Sequence, residues 1–262
     1  MLRGSEYDGE DVDNETHERR LLEDVKSEIQ ASDAQLEAGM KDRHILVLNG
    51  ELRPITSEHL NSVLELILNT LVASSLSHNA APVSDITEVL QSDHEIPSEV
   101  TLQVLSWFGA INTPESGEKS WSMDVSKVVR QLGIGILSSH RNQPISEKVL
   151  IEKWKIVVGD KFEDQIDINL LSGNYISFIQ ASGGESLLSY FPSAELPINP
   201  ADRFSELFIV KPRWKAQDIL PFLDDTVADA KERDKLLMKF TRSIVDKEGI
   251  VWYTTKGGTV LS

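Results

Sequence analysis

The stretch ELPINPADRFSELFIVKPRWKAQDILPFL, Glu195–Leu223, decides the fold of the C-terminal part of the chain. Asn199 is a favourable N-cap, Pro200 suits the first helical position, and Asp202 places a carboxylate near the positive end of the helix. A helix is therefore predicted to begin here. It carries apolar side chains on one face and is predicted to end before Pro212, which cannot continue it.

A second helix is predicted from Trp214 to Leu223, bent or restarted at Pro221. The cations around the junction of these two helices, Lys211 among them, are expected to stay in solvent while the aromatic side chains turn inward. The predicted core of this C-terminal unit has four anchors. They are Phe204, Phe208, Trp214 and Phe240.

A third helix is predicted over Ala230–Ile244, followed by a hairpin. The segments IVWYTT and TVLS have the composition of strands, and Lys256-Gly257-Gly258 between them suits a tight turn. Three helices followed by a two-stranded wing is the winged-helix pattern. The same sequence of short helices and a hairpin is predicted twice more upstream of this unit.

The sequence therefore predicts an α+β fold of three tandem winged-helix domains, each with three helices and a β-hairpin wing. The predicted boundaries are 19–123, 124–196 and 197–262. Residues 1–18 hold seven acidic residues, one arginine and few apolar side chains, so they are predicted to form an acidic disordered tail.

Composition and charge restrict the functions that the chain can have. It has 262 residues, a net charge of −16 and no cysteine, which excludes disulfides, thiolate zinc sites and iron–sulfur clusters. It also lacks an apolar run long enough for a membrane span, and we expect it inside the cell. Residues 201–262 carry 11 Lys and Arg against 10 Asp and Glu, which leaves 15 against 32 for residues 1–200. Any contact with nucleic acid is therefore expected in the C-terminal unit.

The predicted third helix of that unit is a candidate DNA-binding surface. Its apolar positions fall on one face, and its cations cluster on the opposite face, where a winged helix can meet a phosphate backbone. The hairpin tip is expected to add one more cation. The candidate DNA-binding residues are Lys231, Lys235, Lys239, Arg242 and Lys256. A solvated helix face is the alternative reading, because exposed amphipathic helices commonly carry lysines and Glu232 and Asp234 dilute the positive field here.

Motifs of enzymes are missing from the sequence. The histidines form no HExxH or other metal spacing, and neither a GxSxG elbow nor a P-loop occurs. Gly133-Ile134-Gly135 lies in a helical pattern and lacks the third glycine of a dinucleotide-binding loop. We therefore predict no catalytic, cofactor-binding or metal-binding residues, no cofactor and no enzymatic activity.

With these units laid out, the sequence resembles the sister chromatid cohesion protein Dcc family, whose members are subunits of an alternative replication factor C clamp loader. The matching segments occur in order: SEYDGED, LLEDVKSEIQASDAQLEAGM, LVLNGELRPI, EKWKIVV, DINLLSG and the stretch quoted at the start. That last stretch is the most specific, with its LP, N-P-x-x-RF-x-x-LF, K/R-x-x-W and DI-x-P elements.

The resemblance implies three tandem winged helices, a nuclear location and a noncatalytic role at replication forks. It implies that the first winged helix binds the catalytic subunit of DNA polymerase epsilon and that later ones bind DNA. Binding to DNA is expected to be weak and nonspecific, because the C-terminal unit lacks arginine-rich density and stacked aromatic side chains. It also implies association with the two chromosome-transmission-fidelity subunits and, through them, an indirect link to the PCNA clamp. Cohesion establishment and checkpoint signalling are the implied processes, with no role at a membrane.

The sequence departs from the family pattern at its N-terminus, because the barrel region that precedes the acidic segment in the family is missing. We therefore expect a shortened form of the family's chain. The acidic balance of residues 1–200 favours protein contacts for the first two units. A sequence-specific winged-helix DNA-binding regulator remains the alternative, and it would require base-reading side chains on the third helix.

Overall fold

The computed structural model describes residues 5–10, 19–113, 117–179 and 184–256, and the fold is mixed α+β. As far as they are described, the residues divide into two units. The first comprises Met1–Gly135 with Lys153–Ile166, and the second comprises Ile136–Glu152 with Asp167–Ser262. Among the described helices, none combines the length and the apolar character that a membrane span needs.

The first unit begins with two short helices and a hairpin, followed by a longer helical part that ends in a second hairpin. Its elements up to Met123 are α1 (Leu22–Glu28), α2 (Asp33–Asp42), β1 (Ile45–Leu48), β2 (Glu51–Pro54), α3 (Ser57–Ala73), β3 (Ala81–Pro82), α4 (Val83–His94), α5 (Ser98–Trp107), β4 (Gly109–Asn112) and β5 (Ser120–Met123). The last three strands form one antiparallel sheet in the order β3-β5-β4.

The β1–β2 hairpin is bonded along both of its outer edges. Gln103 on α5 acts as a peptide group would, since its Oε1 accepts from Val47 N at 2.8 Å and its Nε2 donates to Val47 O at 3.0 Å. On the other edge, Leu52 N donates to Arg20 O at 2.8 Å. The main-chain groups that a two-stranded sheet leaves open are thus satisfied at these positions.

Part of the acidic N-terminal segment is ordered, so the expected disorder of residues 1–18 is wrong for residues 5–10. Tyr7 is 2% exposed, its N donates to Pro54 O at 2.8 Å, and its carbonyl accepts from Thr56 N at 2.9 Å. Its ring meets His59 edge-on at 5.3 Å and lies under the Arg53 guanidinium at 5.0 Å. A single aromatic side chain anchors this strap (residues 5–10) to the first unit. Residues 1–4 and 11–18 lie outside the described residues.

The middle part of the chain has the same kinds of elements. α6 (Val125–Ser138), β6 (Ile145–Ser146) and α7 (Glu147–Val158) come first, and 3-10 turns follow at Glu163–Gln165 and Ile168–Leu171. Strands β7 (Tyr175–Ile179) and β8 (Ser186–Tyr190) then form a hairpin that β6 extends, in the order β6-β8-β7.

The C-terminal part repeats this order of elements with a longer third helix. It contains α8 (Pro200–Val210), β9 (Arg213–Lys215), α9 (Ala216–Ile219), α10 (Ala230–Phe240), β10 (Thr241–Val245) and β11 (Val251–Thr255), with 3-10 turns at Leu220–Phe222 and Asp224–Thr226. The sheet order is β10-β11-β9. In each of the three three-stranded sheets that the structure describes, the strand that follows α3, α6 or α8 pairs with the strand that comes last in the chain.

Two expectations for this part are wrong. The second predicted helix starts with strand β9 and keeps only four helical residues in α9. The third helix ends at Phe240 instead of Ile244, because Thr241–Val245 is rich in β-branched residues and pairs with Val251–Thr255. The hairpin therefore turns at residues 246–250, whereas the turn expected at Gly257-Gly258 lies outside the described residues.

A buried aromatic cluster forms the core of the C-terminal part. Phe204, Phe208 and Trp214 are buried in it, and Phe240 packs against it. The Trp214 indole Nε1 donates to Leu207 O at 3.0 Å. The cluster also includes Ile176 and Leu196, so it crosses the boundary expected at residues 196 and 197. The rings supply apolar burial, and the indole N–H still has its acceptor.

Arg203 is the charged side chain at the centre of this part, and it is 1% exposed. Its Nε donates to Pro197 O at 2.9 Å, and its Nη atoms donate to Phe222 O at 2.7 Å and Ser193 O at 2.8 Å. Its charge is matched by the Asp225 carboxylate. A buried guanidinium is tolerated here because carbonyl and carboxylate oxygens surround its donors.

Candidate nucleic-acid interface

Helix α10 begins with a local set of capping bonds. Asp229 Oδ1 accepts from Glu232 N at 2.8 Å, and Glu232 Oε2 accepts in turn from Ala228 N at 2.9 Å. The first bond satisfies a donor in the first turn of the helix, the second fixes the residue before the N-cap, and a carboxylate at this end is favoured by the helix dipole. Glu232, expected to dilute the positive field, is thus engaged in capping.

The cations of α10 lie on its exposed side. Leu237 is buried and Leu236 and Phe240 pack against the core, whereas Lys231, Lys235 and Lys239 are exposed. At four-residue spacing the three lysines follow one another along the solvent-facing side, with about 6 Å of helix rise between neighbours. We call these three residues the lysine stripe.

The lysine stripe shares its helix with two exposed acids, Glu232 and Asp234. Among the residues that the structure describes, none of its three lysines forms an ion pair, whereas Arg233 on the same helix pairs with Asp224 at 2.7 Å between Nη1 and Oδ1. Lys239 Nζ lies 5.0 Å from the centroid of the Phe240 ring. The stripe therefore leaves its charges available to a phosphate backbone in solvent.

Two candidate residues lie elsewhere than expected. Arg242 is on strand β10 and does not continue the helical stripe, because the helix ends two residues before it. Lys256 is not at the hairpin tip: its N donates to Phe240 O at 3.2 Å and its Nζ donates to Met238 O at 2.7 Å. Lys256 therefore caps the C-terminal end of α10, where a cation is favoured by the helix dipole.

The sheet brings together cations that the sequence did not join. Thr254 pairs with Arg242 on one side and with Arg213 on the other, and Trp252 pairs with Lys215. The Arg213 Cζ lies 4.3 Å from the centroid of the Trp252 ring, and Lys215 Nζ lies 5.6 Å from it. The signal in the sequence was the alternation in Arg213-Trp214-Lys215, which puts the two cations on the face opposite Trp214.

Asp246 organises the turn of this hairpin. Its Oδ1 accepts from Glu248 N and Ile250 N at 2.9 Å each, and its Oδ2 accepts from Trp252 Nε1 at 2.7 Å. The hydrogen bond from the indole, followed by those from the two main-chain amides, lowers the pKa of Asp246. The carboxylate thus fixes the turn and the direction of the Trp252 ring together.

Two other kinds of site, a metal site and a titrating histidine, depend on how the described His, Asp and Glu side chains are placed. Within residues 5–10, 19–113, 117–179 and 184–256, no three His, Asp or Glu side chains come together as a metal site would require. His44 is enclosed between Trp107 and Phe108, with ring centroids 5.3 and 5.4 Å away. Burial lowers its pKa to about 4, which suits a neutral side chain packed among aromatic rings.

Comparison with known proteins confirms the resemblance inferred from the sequence motifs. A family model described as "Sister chromatid cohesion protein Dcc1" matches residues 1–223. The sister chromatid cohesion protein DCC1 of Danio rerio is 25% identical over 259 residues, covering 98% of this chain and 64% of the relative. The protein of the same name from Saccharomyces cerevisiae is 25% identical over 204 residues, covering 75% of this chain and 52% of the relative.

The human protein of that name is 20% identical over 259 residues, covering 98% of this chain and 63% of the relative. The chain thus spans between half and two thirds of the length of these curated relatives. Its match to the family model nevertheless covers most of its own length, including all of the segments on which the resemblance rests. The chain belongs to the sister chromatid cohesion protein Dcc1 family.

Proposed function

We propose that this protein is a noncatalytic adaptor in sister chromatid cohesion, which acts in the nucleus and connects an alternative PCNA clamp loader to the catalytic subunit of DNA polymerase epsilon. The observation that carries the proposal is the family match over residues 1–223. The relatives are named as sister chromatid cohesion proteins. The link to the clamp loader and the polymerase follows from the resemblance, and its test is given below.

The order of elements supports three winged-helix domains as the framework of this adaptor. Residues 57–123, 125–190 and 200–255 each run helix, strand, helix, helical segment, strand, strand. In each, the first strand pairs with the third, which lies in the middle of the sheet. In the middle set the third helical segment consists of 3-10 turns, which makes that set the least typical of the three.

Charge favours a protein partner for the first of these three proposed domains, residues 57–123. Residues 57–123 contain nine acidic residues and a single basic residue, Lys119. A surface of this sign repels phosphates and attracts a basic protein surface. We therefore propose that residues 57–123 bind the polymerase and that the third set binds DNA.

The polymerase interaction is tested with the whole chain, so that the result does not depend on whether a fragment folds by itself. Purified polymerase epsilon catalytic subunit is mixed with the chain, and hydrogen exchange is compared in the free and bound protein. We expect protection within residues 57–123 and unchanged exchange in α10. Absence of a complex, or protection confined to residues 200–255, would contradict the proposal.

The DNA interaction is proposed to be weak, nonspecific and made by the lysine stripe. Its test is a triple variant in which Lys231, Lys235 and Lys239 are all changed to Glu. Binding is measured by the fluorescence anisotropy of a labelled duplex of about 20 base pairs, at salt concentrations from about 50 to 200 mM. We expect at least a tenfold loss of affinity at the lowest salt and a salt slope reduced by about 2 to 3, since each phosphate contact contributes about 0.9.

A matched control separates this effect from net charge. Reversal of Lys127, Lys148 and Lys161, which are exposed and lie outside the C-terminal part, changes the net charge by the same amount. We expect that control to weaken binding by about twofold or less at the lowest salt, because none of the three lies on the proposed contact surface and exposed charges outside it are screened. Equal losses for both triple variants would show that α10 has no special role.

A further inference from the structure

The outer face of the C-terminal sheet is a second basic surface, separate from the lysine stripe. Strand pairing places its residues in two rows across the three strands, Arg242-Thr254-Arg213 and Ile244-Trp252-Lys215. We call these six residues the Trp252 face. Three of its six residues are cations and none is an acid, although the Asp246 carboxylate lies beside it and acts on Arg213. The net charge of the whole chain is −16.

The direction of this face follows from the alternation of side chains in the strands. Thr241 and Trp214 are buried, and Tyr253 packs against the core cluster, so these residues define the inner side of the sheet. Their neighbours in sequence point the other way. Arg213 and Arg242 are accordingly exposed, and Ile244 is 49% exposed.

Two of the three cations of the Trp252 face lie against the indole ring. Arg213 Cζ lies 4.3 Å and Lys215 Nζ 5.6 Å from the ring centroid, within the range of cation–π contacts. The ring itself is fixed by the bond of its Nε1 to Asp246 Oδ2 at 2.7 Å. A guanidinium stacked on an aromatic ring keeps its N–H edge free to meet an oxyanion in two parallel hydrogen bonds.

This arrangement selects the kind of ligand. Because cations lie over the Trp252 ring, the indole is a poor platform for stacking a base, and the face offers N–H donors in place of an open ring. Such donors suit phosphate oxygens, which carry no sequence information. Arg242 of this face follows Lys239 of the stripe by three residues in the sequence, on the strand that comes directly after the helix.

We propose that the Trp252 face contacts the sugar–phosphate backbone of duplex DNA, with Arg213 as the main phosphate ligand and with Trp252 and Asp246 as positioning residues. The proposal rests on the proposed DNA binding of the C-terminal part and adds a surface that the lysine stripe does not include. Two separate surfaces that contact phosphates would fix the orientation of this part on the DNA without contacts to the bases.

The test uses the full chain, a labelled duplex of about 20 base pairs and a salt series from about 50 to 200 mM. The variant Arg213→Gln removes the charge, and we expect a 3- to 10-fold loss of affinity at the lowest salt with the slope reduced by about 1. Arg213→Lys keeps the charge but loses the paired N–H donors of the guanidinium, so we expect an intermediate affinity with an unchanged slope. A purely structural role for Arg213 would not produce this separation of affinity from slope.

The positioning role is tested with Asp246→Ala, which frees the indole N–H and retains the cations of the face. The variant also removes a negative charge that acts on Arg213, so charge alone would tighten binding. We nevertheless expect a two- to fourfold loss of affinity with the slope unchanged, because the position of the ring is lost. Lys148→Gln, an exposed single-charge change on α7, is the matched control and is expected to bind as the unaltered chain does. Thermal unfolding and circular dichroism of every variant confirm that it is folded before binding is compared.

The outcomes separate this proposal from the proposed DNA binding itself. If the triple lysine variant loses affinity while Arg213→Gln binds with unaltered affinity and slope, the Trp252 face is wrong and the stripe stands. If the unaltered chain binds no duplex, both are wrong. If a labelled polyglutamate of about 20 residues binds as tightly as DNA and loses affinity equally in Arg213→Gln, the face takes an acidic protein segment and its assignment to nucleic acid is overturned.

Discussion

Arg203 Nη2 donates to Asp225 Oδ2 at 3.0 Å, and the same guanidinium bonds to main-chain oxygens on both sides of it in the sequence. Ser193 precedes α8, whereas Phe222 and Asp225 follow α9. A single buried side chain therefore ties the segment that enters the C-terminal part to the turn that leads out of α9. Arg203 lies in the N-P-x-x-RF element on which the family resemblance rests.

Arg203→Met is predicted to lower the free energy of unfolding by about 3 to 5 kcal/mol, because it strands the carbonyl oxygens that the guanidinium satisfies. Asp225→Asn should cost about 2 to 3 kcal/mol, because an amide accepts only one of the two N–H bonds and leaves the buried charge unmatched, while the 43% exposure of this side chain moderates the loss. Urea unfolding, followed by hydrogen exchange of peptides from residues 193–226, measures both. A loss below about 1 kcal/mol for Arg203→Met would show that the network is dispensable.

Gly133→Ala is predicted to destabilise the first unit by about 1 to 3 kcal/mol. A Cβ on Gly133 would lie 2.5 Å from Cε2 of Trp154, whose indole is buried and donates to Val129 O at 2.8 Å. Gly39→Ala is the matched control, because its Cβ would meet only the far end of the flexible Arg43 side chain, at 3.3 Å. We expect that control to be neutral or stabilising by up to about 1 kcal/mol in thermal unfolding, as for helical glycines generally. Equal effects of the two substitutions would contradict the close packing of α6 on Trp154.

His44 is predicted to make stability depend on pH on the acidic side of neutrality. Burial lowers its pKa from 6.5 to about 4 in the folded protein, against an attraction to Asp42 and with a smaller repulsion from Arg130. The unfolded chain therefore takes up the proton first, so the stability contributed above pH 6.5 is lost as the pH falls toward 4. Between pH 7 and pH 5 the loss is expected to be about 2 kcal/mol.

The comparison that isolates this effect is His44→Asn, since asparagine tolerates the positive φ of 50° at this position. Urea unfolding at several pH values should give a shallower dependence for the variant. Some dependence is expected to remain, because burial also lowers the pKa of His59 and His78. Parallel curves for the two proteins would mean that His44 does not carry the effect.

Tyr7→Ala is predicted to release the strap without unfolding the rest of the first unit. The amide of Thr56, which donates to Tyr7 O at 2.9 Å, should then exchange with solvent at least tenfold faster. Tyr7→Phe retains the ring contacts with His59 and Arg53, and a much smaller change is expected. Amide exchange measured by NMR tests this prediction, and unchanged protection of Thr56 in the alanine variant would refute it.

Features set by neighbouring residues could be predicted from the sequence. The start of α8 is an example: Asn199 Oδ1 accepts from Ala201 N at 2.9 Å, and Pro200 is the first helical residue. The inward position of Phe204 and Trp214 also follows from their spacing and apolar character. The spacing of Lys231, Lys235 and Lys239 likewise identified a single helix face before the fold was known.

Features set by distant residues were missed. Ile244 continues the helical spacing of Leu237 and Phe240, and it equally fits a strand; pairing with Trp252 decides between the two. Tyr7 lies in an acidic stretch that predicts disorder, and its partners Arg53 and His59 are more than 40 residues away. The contact between Arg213 and Trp252 joins two strands that the sequence separates by two helices, so no local pattern could reveal it.

Gln103 bears on aggregation, because it covers a strand edge of the β1–β2 hairpin. A strand edge with free N–H and C=O groups is a template on which another chain can add a strand, which is how aggregation often begins. At Val47 that template is filled from within the molecule by a side-chain amide. Loss of that amide would first alter how readily copies of the protein join one another at high concentration, before it altered the fold of any single copy.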